Sequence, residues 1–177
     1  MKEESIVLGG GCFWCLEAVY QRIKGVTQVE NGYAGGTKEN PTYWDLHKPG
    51  NDHAEVVKVN FNPDQIELDT ILTIFWTLHD PTTLNQQGAD IGPEYRSIIL
   101  YANDSQKNII GTSIEETAKK LWHKITTEIK PLGTFWKAEE EQQDYFNKHP
   151  EQAYCQIVIN PKLNKLRTKF SHLLNDI

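Results

Sequence analysis

The chain reads as an α+β protein, a two-layer arrangement with helices packed on one sheet. Three observations predict it. The apolar run Ser5-Ile6-Val7-Leu8 leads through three glycines straight into a helical pattern with Leu16, Val19, Tyr20 and Ile23 on one face. His53 to Phe61 alternates, with Val57, Val59 and Phe61 on one side and Lys58 and Asn60 on the other, as a half-buried strand does. Glu67 to Leu78 places Leu68, Ile71, Leu72, Phe75 and Leu78 on one stripe, which is an amphipathic helix packed on a sheet.

The remaining elements follow in order. Gly25 is read as the stop of the first helix, and Val26 to Tyr33 as a strand ending at the turn Gly35-Gly36. Asn40-Pro41 opens a short helical piece carrying Tyr43 and Trp44, since proline suits a first helical position. Lys48 to Asn51 is a loop and Asn62-Pro63-Asp64 a turn. Pro81 lies just past the second long helix. Thr82 to Glu94 is a polar loop without periodicity, the kind of long loop that often carries function. Tyr95 to Tyr101 is a strand. Asp104 is expected to cap a helix over 105–122 that turns Ile110, Ile114, Ala118 and Leu121 inward. Ile125 to Ile129 reads as a strand, Glu139-Glu140-Glu141 as a solvated helix start, and Tyr154 to Ile159 as a short strand. Asn160-Pro161 then caps and starts a last helix with Leu163, Leu166, Phe170 and Leu173 on its inner face.

With 177 residues, 38% of them hydrophobic and 24% charged, the chain has the size and composition of one soluble domain, 1–177, with a real core. A net charge of -6 argues against a nucleic-acid partner. No long apolar segment follows Met-Lys-Glu-Glu-Ser, so no signal peptide or membrane span is expected. Three cysteines are too few for a disulfide scaffold, which points to a reducing, cytoplasmic setting.

Two residues stand out chemically. Cys12 sits at a strand-to-helix junction, where unpartnered N–H groups and the helix dipole favour a thiolate. The glycines before it leave room for a substrate to approach the backbone, and Phe13 and Trp14 would meet it. Against this, a free cysteine is more often a small buried hydrophobe. Glu55 falls by parity on the apolar face of its strand. Burial there would raise its pKa and make it a proton donor near neutral pH, unless it lies at a frayed strand end with water beside it. The Cys12-x-x-Cys15 pair admits both redox and metal chemistry.

Gly11-Cys12-Phe13-Trp14, then Gly32-Tyr33-Ala34-Gly35-Gly36, Asn40-Pro41-Thr42-Tyr43, His53-Ala54-Glu55, Phe75-Trp76 with His79-Asp80-Pro81, and Tyr95-Arg96-Ser97 run through the chain. In this order they resemble the A-type peptide methionine sulfoxide reductases over nearly the whole length. The resemblance implies a ferredoxin-like core with helical and loop extensions. It implies reduction of methionine S-sulfoxide, free or in proteins, as protein repair; that one reductase class serves each sulfoxide epimer is general knowledge of this chemistry. By the same resemblance Cys12 would attack the sulfoxide sulfur and become a sulfenic acid, and Glu55 would deliver a proton. Tyr43 and Tyr95 would donate to the sulfoxide oxygen, Phe13 and Trp14 would enclose the methyl group, and Asp90 would hold the network together. Thioredoxin or a similar dithiol protein would be the reductant. No cofactor or metal is expected, and the protein is expected to act as a monomer. Cys15 is expected to resolve the sulfenic acid, because residues three apart on a helix are neighbours, with Cys155 as the second candidate.

Two other readings stand beside this one. A thioredoxin-type oxidoreductase fits Cys-x-x-Cys at a helix start but leaves the Gly-Tyr and Tyr-Arg-Ser motifs unexplained. A zinc module would use Cys12, Cys15, Cys155 and a histidine, yet only one close ligand pair exists.

Overall fold

The computed structural model describes residues 2–176. In chain order it contains β1 (Glu4–Gly9), α1 (Phe13–Tyr20), β2 (Val26–Ala34), α2 (Tyr43–Leu46), β3 (Ala54–Phe61) and α3 (Leu68–Leu78). These are followed by β4 (Gln86–Gln87), β5 (Asp90–Ile91), β6 (Ile98–Tyr101), α4 (Asp104–Lys120), β7 (Glu128–Pro131), β8 (Trp136–Lys137), α5 (Tyr145–Lys148) and α6 (Asn160–Phe170). Six strands form one sheet in the order β7-β6-β1-β3-β2-β8. All neighbours are antiparallel except β6 and β7. The run β1-α1-β2-β3-α3-β6, with β3 inserted between β1 and β2 and β6 on the other side of β1, is the ferredoxin-like split β-α-β arrangement.

The two faces of the sheet differ. Leu8, Val57, Val59 and Phe61 join α1, α3 and α6 in the main core, where Leu16, Phe75 and Leu163 are buried. Each such side chain contributes roughly 1.5–3 kcal/mol on leaving water, so this face anchors the fold. Val7, Val56, Ile98 and Leu100 form a smaller layer on the opposite face, covered by Leu132 and Phe135. Parity therefore puts Glu55 on the helical side, and it is 1% exposed.

The glycines after β1 serve the protein's own packing. A Cβ on Gly9 would stand 2.9 Å from the Glu55 carbonyl oxygen and 2.7 Å from the Ile98 side chain, and one on Gly10 would meet the His79 ring at 2.9 Å. Gly11 has φ +87 and gives its N–H to the Tyr95 carbonyl (3.1 Å). The close approach that was expected of a substrate is thus made by β3, β6 and α3, and it seats Cys12 directly beside Glu55.

Several expectations are corrected. Tyr154 to Ile159 is helical rather than extended: Tyr154 has φ -59 and ψ -44, and Cys155–Ile159 forms a π turn running into α6. A short apolar run cannot distinguish a strand from a buried helix, and here Cys155 and Ile159, four apart, share the inner side. Asn160 is consequently inside a helix and not its cap. Pro161 has no N–H to return to the previous turn, and the wider turn before it accommodates that loss. The cap of α4 is Asn103, whose side chain accepts from the Gln106 N–H, and α4 turns Gln106, Ile110 and Ser113 inward while Leu121 is exposed. Helix α1 ends at Tyr20, and Gly25 (φ +87) lies in the turn before β2. Helix α2 begins at Tyr43 after a Thr42 capping box, not at Pro41. Pro93–Tyr95 is a 3₁₀ turn that precedes β6, and the edge strand starts at Glu128. The loop 82–94 contains the small β4–β5 hairpin.

Candidate active site

Cys12 is the N-cap residue of α1, with φ -63 and ψ 130, and its side chain makes no capping bond. The Trp14 N–H of the first turn nonetheless faces the sulfur and lowers its pKa in part. The first free N–H of the helix, on Phe13, is taken by Glu55 Oε2 at 3.1 Å. The buried carboxyl on β3 thus closes the helix that presents the thiol. Burial pushes the Glu55 carboxyl up to about 8; the Phe13 N–H holds it down in part, and the charges of Glu94 and Asp90 add to the rise. Near neutral pH Glu55 is mostly a neutral acid.

The Cys12 thiol is also pushed well up, by burial first and then by Glu55 and Cys15. This reverses the thiolate expectation. A helix end supplies about 0.3–1 kcal/mol, whereas full burial moves a pKa by as much as roughly 3–5 units, so burial wins. The resting pair is a thiol beside a carboxylic acid.

Two phenols lie near enough to Glu55 and Cys12 to feel their charges. Tyr43 opens α2, and Tyr95 closes the 3₁₀ turn whose carbonyl holds Gly11. Both hydroxyls are raised by burial and next by the charges of Glu55 and Cys12, and neither hydrogen-bonds to a side chain among the described residues. Asp90, at the start of β5, accepts from the Tyr154 hydroxyl at 2.7 Å. Cys12, Asp90, Tyr154, Val158 and Lys162 line one cavity of about 300 Å³.

The aromatic residues divide. Phe13 is fully buried, with its ring centroid 5.8 Å from Tyr33 and 6.4 Å from Tyr43, and so forms a wall. Trp14 is half-buried between Tyr145, stacked at 3.6 Å, and Tyr43 at 6.4 Å, with Tyr154 edge-on at 5.9 Å. Its Nε1–H donates to Gln142 (3.1 Å). Tyr145, Tyr154 and Gln142 were missed from the sequence, and so was Glu139. Far from being only solvated, Glu139 accepts from the Tyr33 hydroxyl (2.9 Å) and from the Tyr43 N–H (3.0 Å). The buried Glu17 of α1 accepts from the N–H groups of Asp144 (2.6 Å) and Tyr145 (3.2 Å), which fixes Tyr145 against Trp14. No local pattern announces these long-range bonds.

All three cysteines are free and buried. The Cys15 N–H donates to the Cys12 carbonyl (3.1 Å), which places both residues on the first turn of α1, and Cys15 Sγ lies 3.8 Å from the Tyr154 hydroxyl. Cys155 sits in the π turn. The zinc reading finds no support: among the described residues no three His, Cys, Asp or Glu side chains gather in a way that would hold a metal ion. No helix of the described residues is long and apolar enough to cross a membrane.

A ferredoxin-like sheet carrying a buried thiol beside a neutral carboxylic acid, with two unengaged phenols nearby, fits the class of cysteine-centred oxidoreductases without a thioredoxin fold. The comparisons supply the family. The model of the family described as peptide methionine sulfoxide reductase matches residues 4–174, and the chain belongs to that family. The peptide methionine sulfoxide reductase MsrA of Arthrobacter sp. (strain FB24) is 50% identical over 173 residues, covering 97% of this chain and 99% of that one. Mxr1 from Saccharomyces cerevisiae in reduced form superposes with a TM-score of 0.81 at 34% identity, over 87% of this chain and 90% of that one. Mxr1 in complex with Trx2 gives 0.58 at 30% identity, over 80% and 84%. The chain is an enzyme of methionine sulfoxide reduction.

Proposed function

We propose that the chain reduces methionine S-sulfoxide, free or in proteins, with Cys12 as nucleophile and Glu55 as proton donor. The observation that carries this is the Glu55 carboxyl, buried on the Phe13 N–H beside Cys12 and kept neutral by burial. Cys12 sulfur attacks the sulfoxide sulfur while Glu55 gives its proton to the sulfoxide oxygen, and the thiol proton replaces it on Glu55. The S–O bond breaks with its pair on the oxygen, which takes the second proton from Glu55 and is freed as water. That water bonds Cys12 sulfur and returns one proton to Glu55, while the Cys12–methionine S–S bond breaks with its pair left on methionine. Methionine sulfur is reduced by two electrons and Cys12 is oxidised by two, to the sulfenic acid. Tyr43 and Tyr95, with hydroxyls near Glu55, donate to the same oxygen as charge develops there. Phe13 and Trp14 enclose the methyl group, and Asp90 fixes Tyr154 at the rim.

The second half of the cycle removes the sulfenic acid. Cys15, on the same helical turn as Cys12, closes the disulfide with little backbone motion. Cys155 is the alternative; it is wholly buried in a π turn, and its use would need that turn to open. The disulfide is returned to dithiol by thioredoxin or a similar dithiol protein through thiol exchange, a reading supported by the Mxr1 complex with Trx2. Residues 1–177 act as one catalytic unit and as a monomer, in the cytoplasm, where thiols stay reduced.

Cys12→Ser tests the assignment. It should abolish release of methionine from the S-sulfoxide while the circular dichroism of the fold is retained, and the wild type should discriminate strongly against the R-epimer. Turnover retained by the variant would rule out Cys12 as nucleophile.

A further inference from the structure

We propose that Tyr154 and Asp90 form the exit route for the Cys15 thiol proton when Cys15 sulfur attacks the sulfenic acid on Cys12. The proposal rests on the reading that Cys15 resolves. It starts from proton counting. A phenol has one proton, and Tyr154 gives it to Asp90 Oδ2 at 2.7 Å. Toward Cys15 Sγ, 3.8 Å away, the same oxygen can then only accept, so the thiol donates. The result is a directed chain from Cys15 through Tyr154 to Asp90, and no proton of the reduction step passes along it.

Cys15 needs such a route. The attacking species is the thiolate, and Cys15 is 1% exposed, so water does not reach its proton. Burial raises the Cys15 pKa and Lys162 of α6 lowers it; the Tyr154 hydroxyl would lower it too if it turned its proton from Asp90 to the sulfur, and Asp90 and Glu55 add rises. Together with Cys12 these are the titratable groups that face it. Glu55 is already committed to the Phe13 N–H beside Cys12. Asp90 by contrast is half-buried on the wall of the 300 Å³ cavity that Cys12 and Lys162 share, where a proton can pass to water.

The step balances. The electron pair of Cys15 sulfur forms the S–S bond to Cys12, and the S–O bond of the sulfenic acid breaks. The departing hydroxide takes the Glu55 proton and leaves as water. The Cys15 proton moves to the Tyr154 oxygen as the Tyr154 proton moves to Asp90. Cys15 is oxidised and Cys12 reduced to the disulfide level. Asp90 then releases its proton to cavity water, and Glu55 regains one.

The test compares two rates in one turnover without external reductant: methionine release, and loss of free thiols as the disulfide forms. In Tyr154→Phe the ratio of the second rate to the first should fall roughly 10²-fold, the lower part of the range for general acid–base catalysis. The slowed step should recover as pH rises, because a growing fraction of Cys15 has already lost its proton before the attack and no longer needs the relay. Asp90→Asn keeps the phenol and should show the same selective, pH-rescued deficit, which leaves the test intact if the phenylalanine variant folds poorly. An unmoved ratio, equal slowing of both steps, or a deficit that persists at every pH would overturn the relay. Peptide mapping of the wild type separates the two failures. A Cys12–Cys155 linkage in place of Cys12–Cys15 overturns the resolving reading itself. A Cys12–Cys15 linkage with an unmoved ratio overturns the relay alone.

Discussion

Cys12 and Glu55 are held by the sheet, whereas the surroundings of Trp14 are held by the segment from Glu139 to Ile159. In the first region the register of β1 on β3 and one N–H from Phe13 set the geometry, and the neighbours are core residues. In the second there is little regular structure: a 3₁₀ turn, the four-residue α5 and a π turn. That segment is fixed by polar side chains. Gln143 exchanges hydrogen bonds with the Asn31 N–H and carbonyl (both 2.9 Å), Glu17 takes two N–H groups at the start of α5, and Glu139 ties Tyr33 to α2. The difference separates two tasks. The sheet keeps Cys12 and Glu55 dry, which sets their protonation; the pinned segment surrounds Trp14 and carries Tyr154 and Cys155.

The largest expected effect breaks the first region alone. Glu55→Gln keeps a hydrogen-bonding group but cannot deliver a proton, so methionine release should slow about 10²–10⁴-fold. In the wild type that rate should fall as pH rises through about 8, where Glu55 loses its proton, and in the variant this fall should vanish. Rapid-quench kinetics across pH 6–10 measures both, on the order of seconds or faster.

The same substitution should stabilise the fold. Folding raises the Glu55 pKa from an ordinary value near 4.5 to about 8, so the unfolded chain gives up its proton first as pH rises. Native stability is therefore lost progressively between those two values and the full cost is present above the higher one. At pH 7 this cost is on the order of 3 kcal/mol, and Glu55→Gln should raise the melting temperature by roughly 5–10 °C. At pH 4 the two proteins should melt together. Calorimetry at both pH values checks the sign.

A smaller effect isolates the second region. Glu17→Gln weakens the two bonds that hold Asp144 and Tyr145, and should raise KM about tenfold with little change in kcat, since a hydrogen bond to a charged group is worth about 1.5–3 kcal/mol. If kcat falls as far as in Glu55→Gln, the two regions are not separable and the contrast fails.

The same division governs what could be read from the sequence. The first region was legible because its cause is periodic: alternation over 53–61 put Glu55 on the buried side, and the apolar run into a helix located Cys12. Its protonation was half legible. Parity correctly suggested a raised carboxyl, but the helix end suggested a thiolate where burial dominates. The second region was not legible, because bonds such as Gln143 to Asn31 join residues 112 apart and leave no local pattern. Tyr154 to Ile159 shows the limit most clearly. Its short apolar run suits a strand, and only packing makes it the π turn that brings the Tyr154 hydroxyl to Cys15 and Asp90.

The central claim is that Glu55 rests as a neutral acid beside Cys12. Carbon-13 NMR of the protein labelled at the glutamate side-chain carboxyls, with the Glu55 signal assigned by its absence in Glu55→Gln, tests this directly. The account predicts a titration midpoint near 8 for that carboxyl. A midpoint in the ordinary carboxylate range, about 4.3, would mean that Glu55 is ionised at neutral pH and has no proton to give.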